Sequence, residues 1–106
     1  MGRRRKRKRS NFTETEVREH LSTHHPGCPA ESVARYADRI SQRLWDPPLT
    51  LGQAVGMVAS NDVRHRLTDY DQLLRVPGLT REEARLIVAG EVRRTIGLWA
   101  AQPGGT

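Results

Sequence analysis

Apolar residues along this chain recur at spacings of three and four and nowhere alternate with polar ones over a sustained stretch, so the pattern predicts helices and no sheet. Over residues 29–45, Val33, Ala37, Ile40 and Leu44 share one helix face. Over residues 81–99, Ala84, Ile87, Val88, Val92, Ile96 and Trp99 do the same. Helix starts are written in a second pattern: an apolar residue, a threonine, and an acid or amide three positions later. It occurs as Phe12-Thr13 with Glu16, Leu49-Thr50 with Gln53, Leu67-Thr68 with Asp71, and Leu79-Thr80 with Glu83. The threonine oxygen accepts from an orphan amide of the first turn, and the longer acid or amide reaches back to the threonine amide. Asp71 has the shortest reach of the four. Pro29 adds a fifth start, its preset φ suiting the first helical position after Pro26-Gly27-Cys28. Asp46-Pro47-Pro48 closes the second helix, and Val76-Pro77-Gly78 parts the fourth from the fifth. The expected fold class is all-α, a small compact bundle of about five helices.

Charge divides the chain in two. Arg3, Arg4, Arg5, Lys6, Arg7, Lys8 and Arg9 form an unbroken basic run that accounts for seven of the 18 basic residues. The remaining 11 face 12 acids, so the body is close to neutral and slightly acidic although the chain carries +6. The expected organisation is a disordered basic arm over residues 1–10, one helical domain over 11–101, and a disordered Pro-Gly-Gly-Thr tail over 102–106. A single cysteine, Cys28, leaves no internal disulfide. The longest apolar or glycine run, residues 54–59, falls far short of the roughly 18 residues that mark a membrane-spanning helix. Lys6 stands where a myristoylation motif has Ser or Thr, and no apolar stretch follows the basic start as a secretory signal requires. The expectation is a soluble intracellular protein without a membrane partner, associated with nucleoid or ribosome in a bacterial cytoplasm, or nuclear in a eukaryote.

The arm neutralises phosphates and releases counterions, which gives affinity for nucleic acid without choice of sequence. Such a run equally suits an import signal in a eukaryote or an arm threading into structured RNA, while the acids Glu14, Glu16 and Glu19 of the adjoining helix speak against attachment to anionic lipid. In the body, residues 73–88, Leu-Leu-Arg-Val-Pro-Gly-Leu-Thr-Arg-Glu-Glu-Ala-Arg-Leu-Ile-Val, resemble the helix-hairpin-helix motif of DNA repair and recombination proteins. That resemblance implies two helices around a Pro-Gly turn, an alanine at their close contact (Ala84 here), and turn amides holding a DNA phosphate. Gly78 and Thr80 would lie at the phosphate, with Arg75, Arg81 and Arg85 adding charge. Thr80 stands where the motif has its second glycine. Across residues 26–99 the chain also resembles a family of short, mostly bacterial proteins known only as a domain of unknown function. Pro26-Gly27-Cys28-Pro29, Arg64-His65, Thr68-Asp69-Tyr70-Asp71 with Leu73-Leu74, Arg81, Ala84-Arg85 and Trp99 carry the likeness. It implies no particular activity.

Other chemistry reads as structural. His20 and His24 share a helix face, and His25 and Cys28 follow, a loose set for tetrahedral zinc that equally suits a helix C-terminus. Cys28 between two prolines reads as a small buried group rather than a nucleophile. Asp69 and Asp71 suit the first turn of the fourth helix, where Tyr70 packs with its hydroxyl at the surface. Arg64, His65 and Arg66 complement the C-terminal dipole of the third helix. If packing brings them beside Arg75, Arg81 and Arg85, a second basic patch results. The expectation is a non-enzymatic nucleic-acid-binding protein, DNA or RNA, without metal or cofactor. The alternative is a protein-interaction module, its arm on RNA or incidental.

Overall fold

The computed structural model describes residues 11–101, so the basic run Arg3–Arg9 and the tail over 102–106 lie outside the described residues. The body is all-α, with helices α1 (Glu14–His24), α2 (Ala30–Ser41), α3 (Leu51–Leu67), α4 (Tyr70–Leu73) and α5 (Arg81–Ala101), and no strand among the described residues. No described helix is long and apolar enough to cross a membrane.

Three of the four threonine signals are complete capping boxes. Thr13 Oγ1 accepts from the Glu16 amide at 3.1 Å while Glu16 accepts from the Thr13 amide at 2.8 Å. Thr50 with Gln53 and Thr80 with Glu83 repeat the arrangement. Each cap contributes about 1 kcal/mol to its helix. Thr68 differs. Its hydroxyl donates back to the Arg64 carbonyl and accepts from the Tyr70 amide, while Asp71 turns away to His65. The fourth helix is accordingly one turn, begun at Asp69 without a side-chain cap.

The second helix starts one residue later and ends four residues earlier than its apolar spacing predicts. Pro29 is its N-cap and Ser41 its last residue. The reason lies at the Ile40 carbonyl. A continuing helix would offer that oxygen to the Leu44 amide, but it accepts instead from the Arg43 amide at 3.3 Å and the Trp45 indole Nε1 at 3.4 Å. Trp45 is thereby buried, and Leu44, expected on the buried face, is exposed.

The core gathers Val17 and Leu21 from α1, Tyr36, Ala37 and Ile40 from α2, Ala54, Val55, Val58, Ala59 and Val63 from α3, Tyr70 from α4, and Ala84, Val88, Val92 and Trp99 from α5. Each fully buried aliphatic side chain contributes roughly 2 kcal/mol. Tyr70 packs into the core as expected, the whole residue being only 3% exposed, whereas Ile87, expected on the inward face, is exposed. α1 packs on α2, α2 on α3, and α3 on α5. The Gly27 amide donates to the Trp99 carbonyl at 2.9 Å, tying the α1–α2 turn to the end of α5.

Beneath this packing lies one polar knot. Asp62, 7% exposed, accepts from the Tyr36 hydroxyl at 2.6 Å and from Arg35 Nη2 at 3.2 Å, with Arg66 Nε at 3.5 Å. Arg35 also reaches the Ser32 hydroxyl. α2 and α3 are locked in register by this carboxylate.

Candidate nucleic-acid interface

With α2 and α3 so fixed, a cleft of about 890 Å³ opens between α2, the segment after it, α3 and α5. Arg39 comes from α2, Arg43 from the segment after it, Arg64 from α3 and Arg85 from α5. Gln53 and Asn61 are neutral polar neighbours, and Trp45 and Met57 supply apolar surface. Among the described residues no Asp or Glu lines the cleft. None of the four arginines forms an ion pair among the described residues, whereas Arg35 and Arg66 are both held by Asp62.

Two of the four guanidiniums are positioned by rings. The Arg43 guanidinium carbon lies 4.0 Å from the Trp45 ring centroid, and that of Arg64 lies 5.7 Å from the Tyr70 centroid. Arg64 Nη1 also donates to Asn61 Oδ1 at 3.4 Å. A guanidinium stacked on a ring is held by its face, which leaves its in-plane N–H edge for an anion. Four such charges without a carboxylate among them repel one another, and a phosphate entering the cleft relieves that repulsion while accepting paired hydrogen bonds.

At the Pro-Gly turn only the single turn of α4 precedes α5, and the α5 start is already occupied. Gly78 has φ +85°, a conformation that favours glycine, and the Leu79 amide closes the turn on the Val76 carbonyl at 3.2 Å. The Thr80 amide is taken by the Glu83 carboxylate at 2.8 Å and the Glu83 amide by Thr80 Oγ1 at 3.0 Å. Ala84 is fully buried at the contact beyond. The α5 N-terminus thus carries its own anion, Glu83, on the first of these amides, with Glu82 beside it. Of the hairpin candidates, Arg85 lines the cleft, and Arg75, Gly78, Thr80 and Arg81 do not. The second basic patch forms only in part: Arg64 joins Arg85, while His65 Nδ1 pairs with Asp71 at 2.6 Å and Arg66 pairs with Asp62. Arg39 and Arg43 were not singled out from sequence. In the sequence Arg35, Arg39 and Arg43 recur at every fourth position; Arg35 and Arg39 stand one turn apart on α2, where Asp62 takes the first, and Arg43 follows beyond the helix end.

The histidines form a cluster of tilted rings. The His20 and His24 ring centroids are 4.5 Å apart and those of His20 and His25 are 6.3 Å apart. Burial, and then the neighbouring histidines, hold His20 and His25 below the usual imidazole range. No group of three or more His, Cys, Asp or Glu among the described residues is placed to hold a metal ion. Cys28 is buried, and burial, followed by the Asp62 charge, pushes its thiol up to about 11. That is the opposite of what an activated thiolate needs.

The fold and cleft define a small all-α module with an arginine-lined groove. Residues 20–100 match the family model described as uncharacterized conserved protein (DUF2293), and the chain belongs to that family. All four cleft arginines fall within the matched span. Neither a curated protein nor a solved structure matches the chain.

Proposed function

We propose that this protein is a non-enzymatic nucleic-acid-binding module in which the basic arm, Arg3 to Arg9, supplies sequence-independent phosphate affinity and the folded body docks through the cleft of Arg39, Arg43, Arg64 and Arg85. The observation that carries the reading is the convergence of four unpaired guanidiniums, free of any lining carboxylate, on a body with more acids than bases. Neutral Gln53 and Asn61 beside them suit sugar and phosphate contacts, which position a duplex or folded RNA without reading its sequence. The hairpin contributes through Arg85, with Arg75 and Arg81 outside the cleft adding charge on approach. A soluble protein of the cytoplasm, or of the nucleus in a eukaryote, fits this role.

Fluorescence anisotropy on duplex DNA and on structured RNA tests it, with the full chain and a chain lacking residues 1–9, each with and without Arg43→Ala and Arg85→Ala. Full-length protein binds at low salt, arm removal weakens binding steeply, and the cleft substitutions weaken it further without altering the thermal melt. Absence of binding by the full chain at low salt overturns the function. Binding indifferent to the cleft substitutions in both chain lengths overturns the site.

A further inference from the structure

α5 is apolar on two faces. Ala84, Val88, Val92 and Trp99 turn into the core, yet Leu86, Ile87 and Leu98 stand 75%, 59% and 58% exposed. Gly90 and Gly97 lie among them, with open space where a Cβ would project. At about 100° per residue Leu86, Gly90 and Gly97 fall on the side of the helix away from Val88 and Val92, and Ile87 and Leu98 on the flank adjoining it. A helix that packs on one side carries one apolar stripe, and among the described residues no helix packs over the second.

We propose that this outer face joins two copies of the chain through antiparallel α5 helices. The charge pattern names the occupant. Glu91 and Arg94 are both exposed, and neither forms an ion pair among the described residues. The antiparallel register that lays Ile87 against the partner's Leu98 also lays Glu91 against the partner's Arg94, on the same flank of the helix. Twofold symmetry makes each of these contacts twice. On the other flank Leu86 comes over the partner's Gly97, where the missing side chain leaves room. The apolar pair and the charged pair thus share a single register, and that agreement favours the antiparallel arrangement. Arg85 lies about 140° round the helix from Gly90. A dimer therefore leaves the cleft open and carries two of them.

Sedimentation equilibrium of the full-length, nucleic-acid-free protein reads the inference directly. A monomer–dimer equilibrium is expected, abolished by Leu86→Glu. Glu91→Arg and Arg94→Glu each weaken it by about fivefold, because every dimer loses two exposed ion pairs, and the double reversal E91R/R94E restores it. All four variants retain the thermal melt of the monomer, since none of these side chains is in the core. A monomer at every concentration overturns the proposal. So does a dimer insensitive to Leu86→Glu, or one that the double reversal fails to restore.

Discussion

Asp62 carries more of the fold than any other polar residue, because three donors from two helices converge on one buried carboxylate. Asp62→Ala leaves the Tyr36 hydroxyl and the Arg35 guanidinium without their acceptor, and a loss of about 3 kcal/mol is expected in urea denaturation. Tyr36→Phe removes a single bond and costs about 1 kcal/mol. Cys28 adds a pH dependence. Its thiol is raised in the folded state to about 11, first by burial and then by Asp62, so folding favours the neutral form. The stabilisation is complete at neutral pH and is lost as pH rises from the ordinary thiol range through about 11. Denaturation midpoints followed over that window should fall less steeply in Cys28→Ala than in the parent chain. Little of this was legible beforehand. Asp62 stands next to Asn61 in a helix whose polar residues all look solvated, and only the packing of α2 on α3 distinguishes the buried acid from the exposed amide. The capping threonines could be read because their chemistry spans only three residues.

Elements followed the sequence where local forces set them and departed where a distant side chain intervened. The α5 start is locally specified, and its two local devices give a matched prediction. Gly78→Ala forces a β-carbon into φ +85° and Thr80→Ala removes the cap, each lowering stability by about 1 kcal/mol in thermal or chemical unfolding. α2 ends early because the Trp45 indole claims the Ile40 carbonyl, a competition that the spacing of Val33, Ala37, Ile40 and Leu44 does not contain. α4 shrinks to one turn because Asp71 is paired with His65 rather than with the Thr68 amide. Ile87 fits the inward stripe of α5 by spacing as well as Val88 does. Its exposure follows from where α3 and α4 lie against that helix.

For the whole molecule, arm and cleft have separable signatures in salt. Seven phosphates neutralised by the arm give a log–log slope of affinity against salt of up to about −6 on duplex DNA, and four at the cleft give no more than about −4. Deleting residues 1–9 should therefore leave a shallower slope, which anisotropy titrations between low and physiological salt measure. The arm was legible because it is contiguous. The cleft was not, because its arginines lie up to 46 positions apart, between Arg39 and Arg85, and each taken singly looks like an ordinary solvated helix residue. Their gathering on one face has a further consequence. The folded body has 11 bases and 12 acids, nearly a zero monopole, and its cleft is lined by four of those bases and, among the described residues, by none of the acids. A polyanion exerts little net pull on such a body at a distance and a strong torque on it nearby. On the function proposed above, the capture would fall to the basic run and the orientation to the cleft, so the two tasks would be divided between separate parts of the chain.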